Sequence, residues 1–189
     1  MIFKTLLTSA ALALSIGTAS LAASYNIDTD GAHASINFEA NHLGFSVLTG
    51  RFDTFSGTFE FDAEHPEAGS VMVEITTDSV NSNHAKRDAH LRSGDFFDAS
   101  SHPKATFKST SIKVTGDKTA VITGDLTIKG ITKSIDMDAT MIGSGDDPWG
   151  GHRAGFSGTA TINLGDFDMG GMIGPLDVTL NLHIEGIRQ

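Results

Sequence analysis

A period-two alternation of apolar and polar residues runs through most of this sequence, from residue 35 to residue 185. Successive side chains of a β-strand point to opposite faces, so this alternation is typical of strands with one buried and one solvated face. Near the C-terminus, for example, Val178, Leu180 and Leu182 alternate with polar residues. The alternating segments are residues 35–42, 54–61, 70–76, 104–114, 120–128, 131–141, 154–162 and 176–185. The pattern therefore predicts an all-β fold with eight antiparallel strands.

The predicted strands remain in phase across the turn at Lys129 and Gly130. The flanking residues Ile128 and Ile131 both belong to the apolar faces of their strands, as expected for residues that pair across a two-residue hairpin turn. The alternation changes phase at Ile112, which indicates a β-bulge in the fourth predicted strand.

One segment, Asn83–Gly94, lacks the alternation and is rich in residues that favour helices. Ser82 or Asn83 can cap the first helical turn, and Gly94 can end the helix. We therefore predict a short helix between the third and fourth strands.

The N-terminus has the composition of a secretory signal peptide. Lys4 precedes an uncharged run from Leu6 to Ile16, and small residues follow at Ala22 and Ala23. The apolar run is shorter than the roughly 20 residues that span a bilayer. We expect residues 1–23 to be removed on export to the periplasm, which leaves residues 24–189 as one domain.

The charge balance and the missing residue types exclude several function classes. The chain has 13 basic and 23 acidic residues and a net charge of −10, which disfavours binding to nucleic acid or to anionic membrane surfaces. It has no cysteine, so disulfides, thiol nucleophiles and cysteine-based metal sites are excluded. Neither G-x-S-x-G, H-E-x-x-H nor a phosphate-binding loop occurs. We expect no catalytic residues, no metal, no cofactor and no stable membrane insertion.

Antiparallel strands with one apolar face can close into a barrel or split into a packed sandwich. Whether a barrel is filled or hollow depends on the side chains that point inward. Small residues recur on the apolar faces, namely Gly57, Ala105, Ser109, Gly124, Ala139, Gly158 and Ala160. They would either leave room for a ligand or fit against neighbouring phenylalanine rings, and the sequence leaves both alternatives open.

Large apolar residues in the inward phase are the candidate ligand-binding residues of such a cavity. They are Phe38, Phe59, Phe61, Val73, Ile75, Phe107, Leu126, Ile128, Met137, Phe156, Ile162, Val178, Leu180 and Leu182. We expect them to line or back one elongated cavity. Each buried CH₂ group of an apolar chain contributes about 0.8 kcal/mol, so a long-chain ligand would be held without any catalytic group.

Several segments of the sequence match the motifs of one protein family. They are His42–Asp62, Lys86–Asp98, His102–Ile112, Gly124–Asp138 and Asp147–Asn163. In these segments the sequence resembles the YceI family of lipid-binding periplasmic proteins, and the resemblance extends from about Tyr25 to Ile187. The segment Asn163–Met169 departs from the family pattern.

The resemblance implies an eight-stranded, antiparallel, lipocalin-like barrel with an elongated apolar cavity. It also implies a carrier function, in which the cavity holds a long-chain amphiphilic lipid such as a polyisoprenoid or an isoprenoid quinone. The departure at Asn163–Met169 bears on the cavity mouth and on the ligand. Neither the particular lipid nor the oligomeric state follows, and a homodimer is one of the open alternatives.

Other functions remain open on the sequence alone. A filled barrel would serve as an envelope scaffold or interaction module. His84 and Asp88 are four residues apart on the predicted helix and His90 is near them, so they could share a metal ion, although a solvated helix face is the simpler interpretation. His42 lies on the apolar face of its strand, and we expect a core histidine there rather than a contact to a lipid head group.

Export predicts a defined mature N-terminus. Protein from the periplasmic fraction should have the mass of a chain cleaved after Ala22 or Ala23, because the small residues there suit a signal peptidase. Intact-mass spectrometry measures this directly. Retention of Met1, or recovery only in membranes, would contradict the prediction.

Overall fold

Eleven strands and one α-helix form the part of the chain that the computed structural model describes, residues 22–171, 174 and 176–189. The strands are β1 (Ala23–Ile27), β2 (Ser35–His42), β3 (Ser46–Phe52), β4 (Phe55–Phe61), β5 (Ser70–Thr76), β6 (Val80–Asn81), β7 (Lys104–Val114), β8 (Thr119–Ile128), β9 (Ile131–Asp146), β10 (His152–Asn163) and β11 (Asp177–Arg188). The helix α1 (Ala85–Leu91) lies between β6 and β7. Residues 1–21 of the predicted signal peptide lie outside the described residues.

The sheet closes on itself because β1 pairs with both β4 and β11. Around the ring the order is β1, β4, β5, β7, β8, β9, β10 and β11, and every neighbouring pair is antiparallel. On β11, Arg188 pairs with Tyr25 of β1, whereas Leu180 pairs with Phe38 of β2. β1 and β2 thus share one edge of β11. The predicted eight-stranded barrel is confirmed, and the sandwich is excluded.

Three strands, β1, β3 and β6, are missed by the sequence prediction. β1 is only five residues long, and a loop separates it from β2. In β3 the alternation is broken because Val47 is apolar at a solvent-facing position, where it is 59 % exposed. β1 and β2 together occupy one position of the barrel, beside β11, and β3 and β4 together occupy the next position. The ring therefore still has eight positions.

The predicted bulge and hairpin turn are both present. A register change between Ser109 and Ser111 in β7 marks the bulge. Ile128 pairs with Ile131 across the β8–β9 turn, so the apolar faces of these strands are in phase as expected.

Helix α1 is shorter than the predicted segment Asn83–Gly94. His84, instead of the expected serine or asparagine, caps it, and the His84 Nδ1 accepts a hydrogen bond of 3.2 Å from the Arg87 N–H. The helix ends at Leu91, and Arg92 then donates to backbone carbonyls in and just before β6, which holds this end of α1 against the strand. No helix in the described part of the chain is long and apolar enough to cross a bilayer.

Aromatic side chains pack one end of the barrel interior. The Phe52 ring centroid lies 5.9 Å from that of Phe38 and 5.5 Å from that of Phe97. A turn of 3₁₀-helix after β10, Leu164–Phe167, adds Phe167, which is only 1 % exposed. This end of the interior is therefore filled by the chain itself.

Lys129, in the β8–β9 turn, connects the segments that cover the packed end. Its ammonium donates hydrogen bonds to the carbonyl oxygens of Gly94 at 2.9 Å and Asp168 at 2.7 Å. The loop after α1 and the turn after β10 therefore meet at the same end of the barrel. The segment Asn163–Met169 belongs to this packed end, and Met169 is itself buried.

On the outer surface, Arg153 of β10 binds three carboxylates. Its Nη1 donates to Asp28 Oδ2 at 2.7 Å and to Glu185 Oε1 at 2.5 Å, and its Nε donates to Asp147 Oδ2 at 2.8 Å. Asp28 begins the loop between β1 and β2, Asp147 lies in the β9–β10 turn, and Glu185 lies in β11. One guanidinium therefore fixes three segments beside the strand that closes the barrel.

The carboxylates around Arg153 have lowered pKa values. Hydrogen bonds from His33 and Arg153 hold the pKa of Asp28 at about 2, below its ordinary value of 3.8. Hydrogen bonds from the Gly151 N–H and from Arg153 likewise lower the pKa of Asp147. Both carboxylates therefore stay ionised in mildly acidic solution and continue to pair with Arg153.

Replacement of Arg153 by methionine should lower the melting temperature, because three carboxylates would then lie close together without their cation. The ion pair of Arg51 and Asp53 provides a control, since its side chains are 62 % and 40 % exposed. Arg51→Met should leave the melting temperature nearly unchanged. Thermal unfolding followed by circular dichroism measures both shifts, and equal shifts would contradict the role assigned to Arg153.

The contacts of Asp28 also predict how the free energy of unfolding depends on pH. A lowered folded-state pKa stabilises the fold above the unfolded-state pKa, and the contribution is lost as the pH falls through the folded-state value. For Asp28 this window lies between 3.8 and about 2. Urea unfolding of the wild type and of Asp28→Asn should differ at neutral pH and converge as the pH falls through the window. A difference that stays constant would exclude Asp28 as its source.

Candidate functional site

The other end of the barrel interior contains a cavity of about 200 Å³. It reaches the β7–β8 turn at residues 116–118 and the loop after β4 at Ala63 and Pro66. Strand β8 runs from that turn to Lys129, which covers the packed end. The cavity therefore opens at the barrel end opposite the packed aromatic side chains.

Most of the predicted ligand-binding residues line this cavity. They are Phe59, Phe61, Val73, Ile75, Phe107, Leu126, Met137, Phe156, Leu180 and Leu182. The others, Phe38, Ile128, Ile162 and Val178, do not line it and are buried in the core toward the packed end. The inward phase of a strand continues along its whole length, so alternation alone does not separate lining residues from the packed core.

Further apolar lining residues share the same inward phase but are absent from the predicted set. They include Ile36, Val71, Ile112, Ile122, Ile135, Met141 and Ile184. The alternation that identified the strands also places these residues inward. The alternation does not indicate how far the cavity extends along the barrel.

Aromatic rings form one wall of the cavity. The Phe156 ring meets the rings of Phe59 and Phe61 edge-on, at centroid distances of 5.5 Å and 5.1 Å. Tyr25 stacks on Phe59 at 4.9 Å. Such ring pairs add about 0.5–1.5 kcal/mol each beyond the area they bury, so this wall is well defined. Met137 also borders the cavity, and its flexible thioether can adapt to a ligand.

Only some of the small inward residues leave free space. Ala139 and Gly158 line the cavity. A Cβ atom at Gly124 would lie 2.4 Å from the Phe107 ring, and one at Gly57 would lie 2.5 Å from a backbone oxygen of β5. The residues that do not border the cavity are Gly57, Ala105, Ser109, Gly124 and Ala160. At Gly124, then, the small residue fits against a phenylalanine ring, the second of the two alternatives left open by the sequence, whereas Gly57 makes room for the backbone of β5.

The charged residues that line the cavity lie toward its mouth. Within the described part of the chain they are Glu60, Asp117 and Lys118. Ser70 and Thr119 add hydroxyl groups beside them. The interior is therefore apolar, while the mouth can form hydrogen bonds with a polar group.

The histidines and the aspartate of α1 do not face one another across a metal site. Asp88 is buried and accepts hydrogen bonds from the Ser82 N–H at 2.8 Å and from the Ser82 hydroxyl. Burial alone would raise its pKa, but these hydrogen bonds outweigh that effect and the pKa of Asp88 is lowered. His84 caps the helix and His90 lies 3.0 Å from Asp95, and both histidines are exposed.

His42 is exposed at the end of β2, so the expectation of a core histidine is wrong. The β2–β3 hairpin extends beyond the core at this point. Among the described residues, Asp28, His33 and Glu185 have possible metal-ligating atoms within 4.8 Å of one another. The Arg153 guanidinium hydrogen-bonds to Asp28 and Glu185, so two of these three residues already have a cationic partner.

The sequence matches a known family over most of its length. Residues 25–186 match the family model described as a YceI-like domain. A UPF0312 protein of Ectopseudomonas mendocina is 54 % identical over 176 residues, which make up 92 % of this chain and 92 % of that protein.

Solved structures share the fold. The Campylobacter jejuni YCEI protein is 30 % identical and superposes with a TM-score of 0.71 over 79 % of this chain and 90 % of that chain. A polyisoprenoid binding domain from Saccharophagus degradans gives a TM-score of 0.66 over 90 % of this chain and 100 % of that one, and at 16 % identity it supports the fold alone. With the family match and the relatives in agreement, the chain belongs to the family of YceI-like domain proteins.

Proposed function

We propose that this protein is a periplasmic carrier that holds the apolar chain of a long-chain amphiphile inside its barrel. The candidate ligands are polyisoprenoids and isoprenoid quinones, which would enter chain first. The observation that carries this proposal is an apolar cavity that is packed at one end and open at the other. The ligand class is the one given in the name of a protein with the same fold from Saccharophagus degradans. The protein acts by binding, without a catalytic group.

The energetic cost of an empty cavity supports a binding function. The apolar side chains around a cavity of about 200 Å³ lack packing partners on one side and lose the dispersion contacts that a filled core would make. An apolar ligand that fills the space restores the lost contacts, so its binding stabilises the fold.

The free volume is smaller than the roughly 300–1,000 Å³ of typical ligand pockets. A long chain must therefore displace side chains as it enters. Met137 and Met141 border the cavity, and methionine changes rotamer easily. The Met137 sulfur lies only 2.8 Å from where a Cβ atom would stand on Gly158, so the missing side chain gives this thioether its room.

The charges at the mouth favour a neutral head group. A phosphate there would face Glu60 and Asp117 with Lys118 as the cation among the described lining residues, in a chain of net charge −10. A hydroxyl or carbonyl group can instead form hydrogen bonds at the mouth without this repulsion. An isoprenoid alcohol or quinone therefore fits better than an isoprenoid phosphate.

Mass spectrometry of an organic extract of the purified periplasmic protein tests the proposal. We expect a neutral isoprenoid lipid at close to one molecule per chain. If the extract contains no lipid and the protein takes up none from added isoprenoid, the carrier proposal is wrong and the scaffold alternative gains support.

Two buried alanines provide a matched pair of variants, one beside the free volume of the cavity and one in the packed core. Ala139 lines the cavity and Ala160 does not, although both are buried. Ala139→Phe should fill the cavity and reduce co-purified lipid about tenfold, with little loss of stability because the ring enters free volume. Ala160→Phe should overpack the core and cost about 1–3 kcal/mol of unfolding free energy, while the folded fraction keeps its lipid.

Lipid content by mass spectrometry and stability by urea unfolding are measured on both variants. Unchanged lipid in Ala139→Phe would contradict the location of the site. Equal loss of stability in the two variants would show that the space beside Ala139 is already filled.

A further inference from the structure

Three apolar side chains are exposed together at the tip of the β2–β3 hairpin and at the start of β3. Leu43 is 75 % exposed, Phe45 is 87 % exposed and Val47 is 59 % exposed. Val47 pairs with Asn41, which is exposed on the outward face of β2. Contiguous exposed apolar side chains of this size are typical of an interaction surface.

The backbone of β3 is also unpaired along most of one edge. On that edge β3 pairs with β6 only at Arg51 and Phe52, and within the described residues no strand pairs with Ser46–Gly50 there. Sheet edges in monomeric proteins are commonly protected by lysine, proline or a bulge. This stretch contains none of them. The free N–H and C=O groups can therefore accept another strand.

The turn of the hairpin uses a residue that folding alone does not favour. The Phe45 N–H donates to the His42 carbonyl at 3.0 Å, and the residues between them have positive φ, 56° at Leu43 and 79° at Gly44. Asparagine is the usual residue before glycine in such turns, and leucine is disfavoured at positive φ. A strained, exposed leucine at the tip is consistent with a contact to another molecule.

The charge distribution favours a second copy of this chain as the partner. No aspartate or glutamate occurs from residue 40 to residue 52, although the chain carries 23 acidic residues and a net charge of −10. The net charge makes two copies repel each other, and this hairpin adds no negative charge to that repulsion. A bilayer is a poorer partner, because hydrocarbon cannot satisfy the free backbone groups of β3.

We propose that two copies of this protein associate by antiparallel pairing of their β3 edges, around a two-fold axis near Val47. Such a contact is isologous and closed, so it ends at the dimer. A two-fold axis perpendicular to the sheet keeps the outward faces of both copies on the same side. Phe45 and Val47 of the two copies then form one apolar cluster across the junction.

The proposed junction leaves the cavity mouth free. The hairpin lies beside the packed end, since Ala40 of β2 pairs with Val178 of that end. Both mouths of the dimer therefore remain open to solvent. Dimerisation can thus succeed or fail in experiment independently of lipid binding.

Sedimentation velocity over a wide range of protein concentrations tests the pairing. The wild type should form a dimer as concentration rises, and Val47→Glu should raise the dimer dissociation constant more than tenfold, because like charges would oppose each other at the axis. Met72→Glu is the matched control, since Met72 is 53 % exposed on β5, which pairs with β4 and β7 and not with β3. It should associate as the wild type does. A wild type that stays monomeric, or equal effects of the two variants, would overturn the proposal.

A crosslinking experiment locates the axis. The chain has no cysteine, so Val47→Cys introduces a single thiol. Mild oxidation should convert most of this variant to a disulfide-linked dimer, whereas Met72→Cys should stay mainly monomeric. Equal crosslinking of the two variants would overturn the pairing. So would a monomeric wild type that sediments with phosphatidylcholine vesicles through Phe45, since that result assigns the hairpin to a bilayer.

Discussion

The pairing of β1 with both β4 and β11 is the contact on which the rest of the structure depends. Without β1, the ends of β4 and β11 would be free sheet edges, and the inward side chains would face an open groove instead of an enclosed interior. β1 covers only the C-terminal part of β11, since β2 takes the remainder of that edge. The loop between β1 and β2 must therefore be held in place, and the hydrogen bond from Arg153 to Asp28 does this from the outer surface.

Closure produces one interior with two different halves. In one half, segments outside the barrel strands bring in Phe97 and Phe167, and the space is filled. In the other half the cavity remains between the strands, near the β7–β8 turn. The packed half supplies the stability that an isolated hollow barrel would lack. The hollow half can then accept a flexible apolar chain while the barrel keeps its shape.

Most strands were predictable from the sequence because alternation is a local property of each strand, whereas closure into a barrel followed only from the resemblance to the YceI family. The position of the cavity was not predictable, because Phe38 and Phe59 share the same inward phase yet lie in different halves. The cluster around Arg153 depends on residues as far apart as Asp28, 125 positions away, and no short motif signals such a contact. β3 was missed because Val47 is apolar on the solvent side. Val47 departs from the pattern at the proposed dimer contact, and pairing with a second copy would bury its side chain.

Carbon-13 labelling of the methionine methyl groups tests the central claim most directly. Met137 and Met141 line the cavity, Met169 is buried in the packed end, and Met72 is exposed on the outer surface. Addition of a short-chain isoprenoid quinone should shift the methyl resonances of Met137 and Met141 and leave those of Met72 and Met169 unchanged. Shifts confined to Met72, or no shift at saturating quinone, would contradict a ligand-binding cavity in this barrel.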